Sequence, residues 1–394
     1  MIYNGSNDRC DNMERLAIGI MSGTSLDGID VVIAKIEGSY IHTHIQPIAC
    51  ETFPFEEHIL KRIKMAIRDE HSSSALICSL NFELGEVFAD AVIKLCKKHH
   101  IKLKDVDFIA SHGQTVFHIT HSSDEYIPSS LQLGEGSVIA QLTQTTVVSN
   151  FRCADIAAGG NGAPLVPYAD YILFHDEQLN RSIHNIGGIS NLTVLIKNGE
   201  LDDVIAFDTG PGNMMIDYAC KKLFNINYDE NGAIARKGKP IKEMLEQLMD
   251  HPYFKLTPPK STGRELFGEQ FTEKVISEYA NHPKEDIIST LTYFTAKSIA
   301  YAYSNYVFPH TKIDEIIFSG GGALNQFCLE LIAKELKGTK IKRVEAFGYD
   351  GAFKEALAFI ILGNETINFK PSNVKNATGA KKSVILGQIN YINK

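Results

Sequence analysis

Apolar side chains change their spacing repeatedly along the chain, and each change marks an element. From Leu16 to Ile36, LAIGIMSGTSLDGIDVVIAKI, an apolar run (Leu16 to Ile20) meets a Gly/Ser/Thr turn (Ser22 to Gly28) and then a β-branched run (Ile29 to Ile36). That order predicts a hairpin, not a strand feeding a helix. A third strand over His42 to Phe53 stops at Pro54, and Ile59, Leu60, Ile63 and Ile67 have helical spacing within 56–68. A longer helix is predicted over 75–99, with Leu76, Leu80, Leu84, Val87, Phe88, Ala91 and Leu95 on one face. Val106 to Ala110 reads as a buried strand running into SHGQTVFH. Leu131 to Leu133 follows as a short strand, 137–141 as a short helix, and Thr145 to Ser149 as a strand leading into FRCADIAAGGNGAPLVPYAD.

The second half repeats this order. Strands are predicted at Ser182 to Ile186, Leu192 to Ile196 and Val204 to Phe207, with the turn GGISN between the first two and a helix from about Asn213 to Leu223. A segment rich in Gly, Pro and charge (227–283) carries helices near 241–249 and 268–279. An amphipathic helix (Ile287, Ile288, Leu291, Phe294, Ala302) then leads to the strand Glu315 to Ser319, the turn GGGALN, a helix over 326–336, the strand Ile341 to Glu345 and a helix from Lys354 to Leu362. The same unit thus occurs twice, with GTSLDG and GGISN at matching places. Two such α/β copies facing each other would aim both hairpin turns into one central cleft, and a nucleoside triphosphate gripped from two sides is the natural occupant. The expected organisation is a loose leader (1–15), an N-terminal domain (16–150) to which 365–394 returns, and a C-terminal domain (151–364) with an insertion at 227–283.

Composition narrows the function. A chain of 394 residues holds about two domains. Its net charge of -8 argues against a nucleic-acid partner, which calls for a basic face. Seven cysteines, odd in number and without C-x-x-C spacing, fit reduced thiols in a cytoplasmic protein. No run approaches the roughly 18 apolar residues of a membrane span, and residues 1–15 carry no apolar signal core.

Several stretches carry chemistry. The turn at 22–28 lacks the Lys of a P-loop and the G-x-G-x-x-G of a dinucleotide site. It offers Gly23 and Gly28 for close backbone approach, the hydroxyls of Thr24 and Ser25, backbone N–H groups and the carboxylate of Asp27, a set that suits a polyphosphate and its metal; an ordinary hairpin turn is the alternative. FSGGGALN (Phe318 to Asn325) follows a strand and opens the helix over 326–336; its consecutive glycines permit backbone contact with a flat ring or a phosphate, and the helix N-terminus favours negative charge. In FDTGPGN (Phe207 to Asn213) a strand delivers Asp208 to a Gly-Pro-Gly turn; Asp208 serves either Mg²⁺, a ligand hydroxyl or backbone N–H groups. Asp155 stands in the loop DIAAGGNGAPLVPYAD, where small neighbours would let a substrate reach it as a base, or where it holds its own turn. His112, His118 and His121 fit no common zinc spacing. Arg264 in STGRELFG is placed beside a helix start, ready for an anion or simply in a solvated loop.

With these strings assembled, the chain resembles the anhydro-N-acetylmuramic acid kinase family, a branch of the sugar kinase/Hsp70/actin fold. The resemblance rests on GIMSGTSLDGID (Gly19 to Asp30), ASHGQT, DIAAGGNGAPLVP (Asp155 to Pro167), NIGGISNLT (Asn185 to Thr193), FDTGPGN, PPKSTGRELFG and FSGGGALN, and it extends to TGA (Thr378 to Ala380) and LG (Leu386, Gly387). Asn161 stands where Gln is common in the family, and the stretch Tyr349 to Phe353 is less typical of it. The resemblance implies two duplicated ribonuclease-H-like domains of the actin/sugar kinase type. It also implies an ATP- and Mg²⁺-dependent reaction that opens the 1,6-anhydro bridge of anhydro-N-acetylmuramic acid with water and phosphorylates O6, in peptidoglycan recycling. By motif, Gly23, Thr24, Ser25, Leu26, Asp27, Gly28, Ile29 and Asp30 would hold the ATP phosphates, with Asp27 reaching Mg²⁺ through water. Gly187, Gly188, Asp208, Gly210, Gly212 and Asn213 would complete the nucleotide site, Gly320, Gly321 and Gly322 would lie on its adenosine side, and Asp155 would be the catalytic base. A cytoplasmic homodimer acting on a small amino sugar, with no nucleic-acid or membrane partner, is the implied setting.

Two rivals stand beside this reading. Another sugar or carboxylate kinase of the same fold differs only in its pocket. An ATP-gated chaperone, from a different class, would need a peptide-binding region beyond the core.

Overall fold

The computed structural model describes residues 13–23, 26–68, 70–120 and 122–392, so most of the expected leader, Thr24, Ser25 and His121 lie outside the described residues. In chain order the first elements are β1 (Arg15–Ser22), β2 (Ile29–Glu37), β3 (His44–Phe53), α1 (Glu57–Ala66), α2 (Ser74–Lys98), β4 (Phe108–Ile119), β5 (Ser129–Leu133), α3 (Gly136–Thr143), β6 (Thr146–Ser149), α4 (Cys153–Ala157) and α5 (Val166–Phe174). Next come β7 (Arg181–Ile186), β8 (Ile189–Leu195), β9 (Ile205–Pro211), α6 (Met214–Phe224), α7 (Lys242–Met249), α8 (Arg264–Phe267), α9 (Glu269–Glu278) and α10 (Lys284–Ala302). The chain closes with β10 (Glu315–Ser319), α11 (Gln326–Glu335), β11 (Lys340–Arg343), α12 (Lys354–Ile367), α13 (Lys375–Thr378) and β12 (Gln388–Asn390).

Two compact units result. One holds the described residues up to Leu173 together with those from Phe353 onward, and the other spans Phe174–Ala352. Residues 151–173 and 353–364, expected in the C-terminal domain, therefore fall in the first unit. The cause is packing: α12 lies so close on β1 that a Cβ on Gly19 would overlap the Ala356 carbonyl oxygen, and Gly363 of the same helix meets Ala110 of β4. On the sequence, an apolar helix after the last strand of a repeat reads as part of that repeat; only the glycine on β1 betrays where it docks.

The two sheets share one plan. The first has the order β12-β6-β4-β1-β2-β3 with β5 beside β4, and the second β11-β10-β7-β8-β9. In the first, β1 pairs antiparallel with β2 and parallel with β4. In the second, β7 pairs antiparallel with β8 and parallel with β10. The duplicated α/β fold expected from the Gly-rich turns is what the topology shows. Central strands such as β1 and β10 are buried on both faces, which is why they read as continuous apolar runs without alternation. SHGQTVFH differs from the expectation by continuing as strand, since β4 runs on to Ile119 and pairs antiparallel with β5.

In the first unit Leu80, Leu84, Phe88 and Val92 of α2 pack on Ile18, Ile20, Val31 and Ile33, and Ser73 caps the helix by accepting from the Leu76 N–H. The insertion at 227–283 is no loose excursion. Met244, Tyr253, Phe254, Phe267 and Ile276 form a core with Met215 of α6 and Leu291 and Phe294 of α10. Burying five such side chains contributes on the order of 10 kcal/mol of apolar transfer free energy before chain entropy is counted.

Candidate functional site

In the second unit three glycine turns meet beyond the ends of β7, β9 and β10. The backbone N–H of Gly212 donates to the Gly188 carbonyl (2.9 Å) and that of Asn213 to the Gly187 carbonyl (2.8 Å), tying FDTGPGN to GGISN. The third turn, 320–322, presses on the end of β7: a Cβ on Gly320 would stand 2.6 Å from Asn185 Oδ1, and one on Gly322 would overlap the Ile186 side chain. Gly320 also has φ +82°, where a side chain is strained. Gly187, Gly188, Gly212, Asn213 and Gly320–Gly322 are thus brought together.

These glycines divide by cause. Gly212, Gly320 and Gly322 are required by neighbouring protein atoms, and Gly210, with φ +136°, by the Phe254 ring at 3.1 Å. Gly187, Gly188 and Gly321 are not: their Cβ atoms would meet nothing nearer than 3.4, 3.6 and 3.7 Å. Packing leaves room beside these three glycines, in the GGISN and GGGALN turns, as a surface lying flat against a ligand would. The helix opens at Gln326, after the GGGALN turn, as its expected span of 326–336 has it. Residues 321–324 form a 3₁₀ turn, and Asn325 caps α11 by accepting from the Cys328 N–H (3.0 Å). The glycines therefore offer backbone and space, and not the helix terminus itself.

Asp208 sits within β9 and faces the insertion. Its N–H donates to the Lys260 carbonyl (3.0 Å), its Oδ2 accepts from the Thr262 N–H (2.9 Å), and its carbonyl accepts from the Tyr253 hydroxyl (2.6 Å). Of the roles open to it on the sequence, holding backbone groups is the one displayed: it fastens the KST segment to the sheet. Burial pushes its carboxyl up to about 7, against the Thr262 bond, which lowers it. Lys260 beside it is wedged between the rings of Tyr253 and Tyr306, 4.7 and 4.6 Å from their centroids, and burial pulls it down to about 8. Arg264, the first residue of α8, is exposed.

Asp217 in the first turn of α6 is likewise pushed up to about 7 by burial, despite the favourable helix end. A folded-state value above the ordinary 3.8 means that the folded protein keeps a proton the unfolded chain has lost, so stability falls as pH rises between the two. Asp217→Asn removes this penalty. Its stability advantage over wild type, read from denaturant midpoints, is expected to widen from about pH 4 to about pH 7 and to stay constant above.

In the first unit, β1 and β2 carry the 23–30 turn. Ser22 Oγ donates to Gln114 Oε1 (2.6 Å) and Gln114 Nε2 to the Gly23 carbonyl (3.2 Å), so SHGQT braces the turn from β4. Asp27 is exposed and Leu26 half-buried. Asp30 accepts from Thr52 Oγ1 (2.5 Å). Ile29 is buried in the core, and Gly28 is explained by Thr52, 2.6 Å from where its Cβ would be. Of the described turn residues, Asp27 alone is exposed. Among the described residues no three His, Cys, Asp or Glu side chains form a metal cluster.

Asp155 does not lie in an open loop. It is in α4, 0% exposed, with Oδ2 accepting from the Gly162 N–H and Oδ1 from Asn373 Nδ2 and Thr378 Oγ1, each at 2.8 Å. The correction has a local reason: the glycines that would have given access instead wrap the carboxylate, and a Cβ on Gly160 would overlap Oδ2. An ionised carboxylate has about four acceptor sites, so three donors fix its orientation and leave one. Thr378 comes from the TGA string, while nothing in the sequence pointed to Asn373.

Arg152, one turn before Asp155, escaped the sequence reading. Its Nε and one terminal nitrogen reach His112 Nε2 (3.2 and 2.7 Å), and the other terminal nitrogen donates to the Gly162 carbonyl (2.7 Å). A guanidinium only donates, so Nε2 is the acceptor and the His112 proton is on Nδ1, donated to the Gly113 carbonyl (2.7 Å). Burial, then Arg152, pulls His112 down to about 3 and keeps it neutral. His112 and His118 (which meets Ser130 Oγ at 2.8 Å) are thereby committed as polar strand residues. Glu355 of α12 is raised by burial, with Lys354 and Arg152 opposing, and Lys354 is held by Asp170 at 2.7 Å. No helix among the described residues is long and apolar enough to cross a membrane.

Comparison with known proteins follows the same lines. Residues 15–392 match the family model described as anhydro-N-acetylmuramic acid kinase. A protein of that name from Francisella tularensis subsp. novicida is 52% identical over 377 residues, covering 96% of this chain and 99% of the relative. One from Bacillus cereus (strain AH820) is 50% identical over 375 residues, covering 95% and 98%. Among solved structures, component A of Acidaminococcus fermentans (R)-2-hydroxyglutaryl-CoA dehydratase aligns with a TM-score of 0.46 at 12% identity, covering 88% of this chain and 96% of that one. A glucokinase of the ROK family from Streptomyces griseus aligns at 0.38 and 12%, covering 88% and 98%. The near-complete match to the family model and the relatives at about half identity establish that the chain belongs to the anhydro-N-acetylmuramic acid kinase family.

Proposed function

We propose that the protein is an ATP-dependent kinase that opens the 1,6-anhydro bridge of anhydro-N-acetylmuramic acid with water and phosphorylates O6, yielding N-acetylmuramic acid 6-phosphate, as a cytoplasmic homodimer in peptidoglycan recycling. Family membership supports the activity, and the room beside Gly187, Gly188 and Gly321 suits a nucleotide lying against backbone. In the anhydro sugar O6 is an ether oxygen, bonded to the anomeric carbon, and has no proton to give. Water must attack that carbon as O6 leaves, and O6 then takes a phosphoryl group where an inverting glycosidase would give it a proton. Mg·ATP supplies that phosphoryl group and the neutralising charge.

One carboxylate is therefore enough on the protein side. Asp155 is our candidate: Gly162, Asn373 and Thr378 orient it and leave one acceptor position for the water proton, which is the observation that carries the reading. As Asp155 is buried, water and sugar must be delivered to it, so the base works only when a substrate lines its one remaining acceptor site. Gly23 and Asp27 would hold the phosphates, with Asp27 meeting Mg²⁺ through water, and Asp208 would set the KST segment beside the nucleotide turns. Product analysis tests the proposal. With ATP, the bridged sugar is expected to be converted and the unbridged N-acetylmuramic acid left untouched; phosphorylation of the unbridged sugar alone would favour an ordinary sugar kinase.

A further inference from the structure

The Arg152 guanidinium is largely buried, and no carboxylate lies within ion-pair distance of it among the described residues. Its three hydrogen bonds go to neutral acceptors, two to His112 Nε2 and one to the Gly162 carbonyl. The contrast within the same fold is plain. Arg181, also mostly buried, meets Asp176 at 2.8 Å and Glu315 at 3.2 Å, while Arg62 meets Glu83 at 2.9 Å. A cation withdrawn from water without a carboxylate in contact costs free energy that folding alone has no reason to retain. Asp155 and Glu355 act on it only from a distance, and burial remains the dominant influence, drawing Arg152 down to about 10. Of its five N–H donors two remain, on a planar group whose orientation His112 has fixed from behind.

We propose that Arg152 is the receptor for an oxyanion of the bound substrates, the carboxylate of the acidic sugar or the phosphoryl group in transfer, and that neutral His112 is its positioning residue. This deepens the function proposed above and rests on it. The same guanidinium holds Gly162, whose N–H holds Asp155, so an anion arriving at Arg152 registers the substrate against the base through two hydrogen bonds. A fork of this geometry suits carboxylate and phosphate equally.

Kinetics of Arg152→Gln with the sugar acid and with its carboxamide separate the sources. If the carboxylate is the partner, the carboxamide costs wild type about 10- to 100-fold in kcat/KM and costs the variant almost nothing, while the KM for ATP is unchanged. If the phosphoryl group is the partner, acid and carboxamide behave alike in wild type, and the variant loses about 100-fold or more in kcat. Arg152→Met, similar in reach, is read in the same way should the first variant not fold. Full retention of kcat and both KM values within about threefold by a folded variant overturns the proposal. Wild-type turnover of the bridged sugar is the control: its failure would refute the assigned reaction, whereas its success with an unaffected variant would refute the role of Arg152 alone.

Discussion

Asp155→Asn is expected to lower turnover of the anhydro sugar by about 10²- to 10⁴-fold, the usual worth of a positioned general base, while nucleotide affinity stays within a few-fold. The substitution keeps shape but turns one acceptor oxygen into a donor. Because Gly162, Asn373 and Thr378 all donate to this carboxylate, the amide must set one N–H against another, at a cost of about 1–3 kcal/mol of stability. Steady-state kinetics and calorimetric ATP titration on the same sample, with its unfolding midpoint recorded, give the three readings together. A variant that unfolds about as expected yet keeps full turnover would make Asp155 a structural acid only. Asn373→Ala is the matching control, as it removes a donor to Oδ1 without touching the carboxylate and should reduce turnover far less.

How much of this was legible in advance depended on whether a signal was local. The β1–β2 hairpin and its counterpart β7–β8 were readable because an apolar run, a polar turn and a second apolar run lie adjacent in the chain. The glycine turns were readable for the same reason. Asp155 could be singled out by its small neighbours but not placed, because two of its three donors stand 218 and 223 residues away, on Asn373 and Thr378. Arg152 and His112 are separated by 40 residues and carry no spacing that marks a pair. The docking of α12 on β1 escaped for a different reason. An apolar helix fits either unit by pattern, and only the exclusion of a Cβ at Gly19 decides between them.

The glycine turns yield the other large effect, and a pair of substitutions separates its two causes. Gly212→Ala places a methyl group on the Gly187 carbonyl oxygen, so the hydrogen bonds that hold the two turns together must give way. Overpacking of this kind costs about 1–3 kcal/mol of stability, and nucleotide affinity falls with it. Gly321→Ala is different in kind, for its methyl group would find Asn213 no nearer than 3.7 Å and the protein should accept it. Its unfolding midpoint is expected to match wild type within about 0.5 kcal/mol. If a nucleotide lies against this turn, the same methyl group occupies ligand space, and Kd for ATP should rise by about 10- to 100-fold, equivalent to roughly 1.4–2.8 kcal/mol. Loss of affinity without loss of stability is the signature of a glycine kept for a ligand. Unchanged affinity in Gly321→Ala would place the nucleotide elsewhere and leave the triple glycine as a packing device between β10 and α11.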